Sequence, residues 1–226
     1  MSDTSQIAQR LDDIHAQIET ARARAGTPEV TLVAVSKTHP PEAVEAALAA
    51  GQCDFGENRV QEMLAKAPLV SSGARWHLVG HLQSNKIRKA LAVSEIFHGI
   101  DSLALAHDVD RIAQEEGCRP KIFLETNVSG EGSKYGFRPE TLISEWEEIL
   151  ALGRVEPVGL MTIPPIGKAE ESRPFFVKLR QLRDRLEQQG GVPLPYLSMG
   201  MSGDFAVAIE EGATHVRIGT AIFGER

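Results

Sequence analysis

Hydrophobic and polar positions follow two periods along this chain. Ile7, Leu11, Ile14 and Ile18 recur at helical spacing behind several polar N-cap candidates, and Gly26 and Pro28 close the pattern, which predicts a helix over about 3–25. From there strand-like and helix-like segments alternate. Residues 31–37, 54–58, 75–80, 95–100, 121–128, 155–163, 196–200 and 215–223 read as eight strands. Between them lie amphipathic helices, among them Leu142, Ile143, Trp146, Ile149 and Leu150 after an N1-type Pro139, and Phe175, Phe176, Leu179, Leu182 and Leu186.

The helix ends share a form. Gly51, Gly117, Gly153, Gly190 and Gly212 each stand where a helix hands over to the next strand, as a left-handed C′ residue would. Eight such βα alternations predict a (β/α)8 TIM-type barrel with an additional N-terminal helix; an open doubly wound sheet is the runner-up. Because the chain stops at Arg226, directly after the last expected strand, the N-terminal helix is expected to close the outer ring in place of an eighth crossover helix.

Composition adds bounds. The 226 residues, 42% hydrophobic and 24% charged, are those of an ordinary globular protein, and no linker or low-complexity tract divides residues 1–226, so a single domain is expected. A formal net charge of −7 argues against nonspecific binding to nucleic acid or an anionic membrane. Neither a secretory leader nor a bilayer-spanning apolar stretch is visible. Cys53 and Cys118 form no CxxC pair, which suits a reducing cytoplasm, and both read as core or near-core thiols.

The run Thr31-Leu32-Val33-Ala34-Val35-Ser36-Lys37 reads as a strand buried on both faces that ends in an amine. Against apolar walls an ammonium is desolvated, its pKa falls, and the neutral amine can attack an aldehyde. The plainer alternative is a lysine reaching solvent. Its company is informative: in a parallel barrel the site lies at the C-terminal strand ends, where Asn58, Gly80, His81, Met161 and Thr162 also fall. Ser198-Met199-Gly200-Met201-Ser202 ends strand 7, with Ser202 placed to cap a helix beginning near Gly203-Asp204, and Gly219-Thr220 ends strand 8. Together they form a candidate phosphate cup, or simply turns and caps.

Arg217 shares a face with His215 and Gly219, and inside a barrel it needs an acceptor: a structural ion pair, or a ring nitrogen. His77 and His81 lie four apart on a strand without a third ligand, a poor metal pattern. The Gly130–Gly136 stretch lacks Walker spacing and reads as a lid loop with Lys134 as a surface contact; Gly167-Lys168-Ala169 lacks the hydroxyl that magnesium would need.

These residues, with Phe55-Gly56-Glu57-Asn58-Arg59-Val60-Gln61-Glu62, Trp76-His77-Leu78-Val79-Gly80-His81-Leu82-Gln83-Ser84-Asn85-Lys86 and Gly159-Leu160-Met161-Thr162, make the chain resemble the pyridoxal phosphate homeostasis protein family. The resemblance runs from the N-terminal helix to Phe223-Gly224 and implies a single-domain relative of the alanine racemase barrel. It implies that Lys37 carries pyridoxal phosphate as an aldimine and that Arg217 faces the pyridine nitrogen. It further implies that Ser202, Gly219 and Thr220 bind phosphate with Ser198 and Met199 nearby, and that Asn58, His81 and Met161 line the cofactor.

The function so implied is vitamin B6 homeostasis without an established reaction, with pyridoxal phosphate-dependent apoenzymes as possible recipients. An arginine opposite the ring nitrogen disfavours its protonation and weakens the electron sink. Racemisation or lyase chemistry through the same Lys37 linkage is the alternative; it needs a second base, for which His81 and Tyr135 are candidates. A cofactor-free aldolase-like use of Lys37 on a sugar phosphate is a third reading. A monomer is expected, with a homodimer as the other option.

Overall fold

The computed structural model describes residues 3–132 and 135–225. Eight parallel strands close on themselves in sequential order, β1 pairing with both β2 and β8, so the barrel is observed and the open sheet is not. The strands are β1 (Thr31–Val35), β2 (Asp54–Glu57), β3 (Arg75–Leu78) and β4 (Ile96–Ile100). They continue as β5 (Lys121–Glu125), β6 (Glu156–Met161), β7 (Tyr196–Ser198) and β8 (His215–Ile218).

Helix α1 (Asp3–Ala25) precedes the barrel, and α2 (Pro41–Ala49), α3 (Val60–Lys66), α4 (Ile87–Leu91) and α5 (Leu103–Glu116) follow the first four strands. Then come α6 (Pro139–Leu150), α7 (Ala169–Gly190), α8 (Phe205–Glu210) and α9 (Thr220–Phe223). No helix among the described residues is long and apolar enough to cross a membrane.

Strand alternation sorts the side chains. Leu32, Ala34, Phe55, Leu78, Phe97, Leu124, Leu160, Val216 and Ile218 point outward into one continuous core beneath the helices. The Leu, Val, Ile and Phe side chains among them each contribute roughly 1.5–3 kcal/mol. The interior is different: small apolar groups, Val33 with Val35 and Val79 and Phe123 with Val158 and Met161, alternate with buried His77, His98, Ser198 and Arg217.

Helix α1 buries Ile7, Leu11, Ile14 and Ile18 and packs against α2, α8 and α9, so it does close the ring. The expectation that no helix follows the last strand is corrected. The run 215–223 divides at Gly219 into β8 and the short α9, because Ile222 and Phe223 turn outward to be buried in the core. A short apolar run cannot by period alone distinguish the two states. The stretches 121–128 and 155–163 likewise end as strands at Glu125 and Met161.

Of the expected C′ glycines, Gly51, Gly117 and Gly212 have positive φ, whereas Gly153 and Gly190 do not. Gly190 is the last residue of α7, lying where a side chain would strike Trp146, and Gly191 takes the left-handed position instead, with φ 63°. The cysteines are also corrected: Cys53 is exposed and Cys118 half-buried, both free, because each sits in the connection just before a strand.

Candidate functional site

Lys37 emerges where the ladder ends. Ser36 N–H still bonds the Gly56 carbonyl at 3.0 Å, and His39 N–H then returns to the Ser36 carbonyl at 3.0 Å, making a turn with Lys37 in its second position. Thr38 follows with φ 67°, a left-handed conformation that costs a threonine stability. The turn is held from outside the barrel. Lys66 Nζ donates to the Ser36 carbonyl (2.7 Å), to Glu57 (2.7 Å) and to Glu62 (2.8 Å); Ser36 Oγ donates to Glu57 (2.7 Å), and Thr38 N–H donates to Glu62. Glu57 and Lys66 are both buried, and burial pushes the Glu57 carboxyl above its ordinary value against the pull of Lys66 and Ser36.

The strand ends enclose a cavity of about 730 Å³. Lys37, Asn58, His81, Ser202, Arg217, Gly219 and Thr220 all line it, so these expected site residues are brought together. Lys37 is half-buried, with Val35 and Val79 supplying the apolar wall. A hollow of about 750 Å³ lies elsewhere, between the loop after β5, α6 and α7, and its charged groups, Glu131, Arg138, Glu140, Lys178 and Arg185, are exposed side chains of both signs.

The cup differs in detail from its sequence reading. Ser202 does not cap the helix; Asp204 is the N-cap residue, and its carboxylate accepts from Met201 N–H at 2.7 Å. That leaves Ser202 facing the cavity. Among the described residues, the amides of Ser202, Gly203 and Gly219 have no hydrogen-bond partner. Three amides and the Ser202 and Thr220 hydroxyl groups thus border the same end of the cavity.

Arg217 is buried, and its acceptors are protein groups rather than a carboxylate: Nη1 donates to Ser198 Oγ at 2.6 Å and Nη2 to the Thr162 carbonyl at 2.9 Å. Burial draws the guanidinium down to about 10, so near neutrality it remains a cation and a donor only. Glu125 ends β5 in the same cavity wall, where burial and nearby Asp101 push its carboxyl up to about 7. At the mouth, His81 Nδ1 lies 3.0 Å from Asp101, and the His81 ring stacks on Tyr135 at 4.5 Å between centroids.

Residues 9–226 match the family described as "Alanine racemase, N-terminal domain". A protein of Aquifex aeolicus called pyridoxal phosphate homeostasis protein is 44% identical over 222 residues, covering 96% of this chain and 97% of that one. The human protein of the same name is 44% identical over 209 residues, 86% of this chain and 76% of its own. The chain belongs to the pyridoxal phosphate homeostasis protein family. A solved structure of PipY from Synechococcus elongatus PCC7942, with pyridoxal phosphate bound, superposes with a TM-score of 0.88 at 42% identity, covering 97% of this chain and 100% of that one. An alanine racemase of Clostridium difficile 630, 14% identical with a TM-score of 0.75, shares the fold over 56% of its length.

In this member of the pyridoxal phosphate homeostasis family, three expected site residues lie off the cavity. Met161 is buried with Phe123 and Val158 inside the barrel; Met199 points outward into the helix-covered core; Ser198 is buried behind Arg217, which it holds. Alternation explains the last pair, since adjacent strand residues cannot face the same side. Lys134 lies outside the described residues. Glu125 was missed, though it carried the same signal as Lys37: an ionisable group closing an otherwise apolar run, Ile122-Phe123-Leu124. Lys66 carried none, because a lysine on the last turn of a helix reads as solvated.

Proposed function

We propose that this chain, as a single barrel domain spanning residues 1–226, binds pyridoxal phosphate at Lys37 and serves intracellular vitamin B6 homeostasis, without a dedicated catalytic reaction. The observation carrying this reading is the convergence of Lys37, Arg217 and the amides at Ser202, Gly203 and Gly219 on one cavity. The residues fit the group. At Gly219 a Cβ would lie 2.9 Å from the Val35 carbonyl oxygen, so glycine lets the end of β8 lie this close to β1 beside Lys37. The family name and the cofactor in PipY support the same assignment.

When bound, pyridoxal phosphate supplies an aldehyde electrophile and a conjugated pyridine that can accept electron density. Lys37 Nζ would be the amine that condenses with that aldehyde, releasing its oxygen as water. Ser202, Gly203, Gly219 and Thr220 would hold phosphate oxygens with backbone and hydroxyl donors, needing no lysine in the cup. Arg217 can only donate, so a ring nitrogen facing it would accept and stay unprotonated, which would restrain carbanion chemistry. Val35 and Val79 exclude water from one side of Lys37, and Asn58 and His81 complete the wall. This arrangement suits a holder of the cofactor that yields it to pyridoxal phosphate-dependent apoenzymes.

The stack of Tyr135 on His81 beside the cavity favours a second reading, a racemase- or lyase-type enzyme, because it places two candidate bases at the mouth. Borohydride treatment after cofactor addition, with peptide mass mapping, tests the first assignment: label on Lys37, absent in Lys37→Ala, is expected. Amino-acid α-proton exchange with solvent separates holder from enzyme; no exchange is expected. A protein that takes no label yet binds a sugar phosphate would overturn both.

A further inference from the structure

A hydrogen-bonded line crosses the barrel from the cavity to the opposite mouth. Arg217 Nη1 donates to Ser198 Oγ (2.6 Å); Ser198 Oγ lies 2.8 Å from His98 Nδ1; His98 Nε2 lies 3.0 Å from His77 Nδ1; His77 Nε2 lies 3.0 Å from Asp54 Oδ1. Asp54 is gripped by Arg75 through Nε at 2.8 Å and Nη2 at 2.6 Å. The middle members are enclosed, with His77 1% exposed and both His98 and Ser198 0% exposed.

The two ends dictate the protons between them. Arg217 has donors only, so Ser198 Oγ must accept from it. Although Asp54 is largely buried, Arg75 and His77 hold its carboxyl well below the usual range, so it accepts and His77 Nε2 carries hydrogen. His77 Nδ1 then accepts from His98 Nε2–H, and His98 Nδ1 accepts the Ser198 hydroxyl proton. Every group in the line is satisfied, with both imidazoles neutral. Burial, with the Arg217 cation nearby, also holds His98 well below its ordinary value. A doubly protonated His77 would reverse the line, point two donors at Ser198 and strand its hydroxyl proton inside the barrel, which is costly.

We propose that Asp54, His77, His98 and Ser198 are positioning residues for the cofactor site, a proton-ordered relay through which the carboxylate at the far mouth fixes the guanidinium of Arg217. That Arg217 serves the cofactor rests on the proposed function; the order of the protons does not. His215 stands beside the line without joining it, its Nδ1 lying 2.9 Å from Thr214 Oγ1. Among the described residues Arg217 keeps only the Thr162 carbonyl as a side-chain hydrogen-bond acceptor if Ser198 is lost, so its direction depends on the relay.

The test starts with cofactor-free protein labelled with ¹⁵N-histidine. Long-range ¹H–¹⁵N correlation at pH 7 should find His77 and His98 both as neutral Nε2–H tautomers; Nδ1–H at either ring, or a doubly protonated ring, overturns the relay. In Asp54→Asn the single His98 tautomer should give way to a mixture and pyridoxal phosphate should bind about tenfold more weakly, the loss expected for one misdirected charged hydrogen bond. An unchanged tautomer, or a changed tautomer with unchanged affinity, refutes the coupling. If Asp54→Asn does not fold, Ser198→Ala decides: affinity equal to the parent refutes the positioning of Arg217. Failure of every variant and the parent to bind pyridoxal phosphate would instead sink the proposed function, leaving the tautomers to stand alone.

Discussion

Lys66 and Ser36 meet behind the strand that delivers Lys37, the ammonium lying 2.7 Å from the Ser36 carbonyl. The same ammonium touches Glu57 and Glu62, and Glu62 accepts from Thr38 N–H. Both chain neighbours of Lys37 are therefore tied to one ion cluster, buried at Glu57 and Lys66 and half-buried at Glu62, on the outer side of the barrel. The turn that presents the amine is rigid because of groups that never see the cavity.

Removing Lys66 tests this. Lys66→Met leaves Glu57 buried with only Ser36 as partner, and one Glu57 oxygen already has no partner among the described residues. Breaking a buried pair in this way costs about 3–5 kcal/mol. Urea unfolding should register that loss, and borohydride labelling of Lys37 should slow in the fraction that remains folded. A variant with parental stability would refute the clamp.

Glu125 gives stability a pH dependence of defined sign. Its carboxyl is raised from 4.5 to about 7 in the fold by burial and Asp101, so its stabilising contribution is whole below about pH 4.5 and is lost as pH rises through about 7. Glu125→Gln cannot ionise. It should match the parent near pH 4.5 and exceed it at pH 8.5 by on the order of 2–3 kcal/mol, read as a higher melting temperature. Equal melting curves at pH 8.5 would show that Glu125 titrates normally.

What the sequence disclosed and what it hid have a common cause. Strand ends and helix stripes are local patterns, so the position of Lys37 and Arg217 beside one cavity and the packing of Ile7, Leu11, Ile14 and Ile18 were legible. Ser198 and Met199 were read together because they are adjacent, yet the pleat sends one inward to Arg217 and the other outward to the core. Partnerships across the sheet left no trace in one dimension: Lys66 with Ser36 is 30 residues apart, and His98 with Ser198 is 100. Ile222 and Phe223 looked like strand residues because burial, not period, was what their composition reported.

Two glycines separate close approach from backbone conformation. At Gly159 a Cβ would lie 1.9 Å from the Tyr196 carbonyl oxygen, inside the β6–β7 pairing, so Gly159→Ala must push β6 and β7 away from each other. A loss of about 3 kcal/mol or more is expected, in line with severe core overpacking. Gly117→Ala meets nothing within 4 Å and suffers only its φ of 69°, at roughly 1–2 kcal/mol. Denaturant midpoints of the two variants should fall in that order; the reverse order would contradict the β6–β7 register.

Tyr135 tests the mouth of the cavity and divides holder from enzyme. Tyr135 is 62% exposed yet its ring stacks on His81, whose Nδ1 lies 3.0 Å from Asp101, so the stack borders the cavity at little expense in global stability. Aromatic pairing of this kind contributes about 0.5–1.5 kcal/mol. Tyr135→Ala should therefore leave the melting temperature nearly unchanged and release pyridoxal phosphate several-fold faster, measured by transfer to an apoenzyme trap. Tyr135→Phe keeps the stack and loses only the hydroxyl. If the protein is a holder, this variant should release cofactor at the parental rate. If Tyr135 were a second base, Phe at that position would instead abolish amino-acid α-proton exchange that the parent performs, typically by a factor of about 10²–10⁴ for a lost general base. Parental release from Tyr135→Phe, together with no α-proton exchange in either protein, is the outcome expected on the proposed assignment, because a donor-only Arg217 facing the ring nitrogen would restrain the carbanion any second base would create.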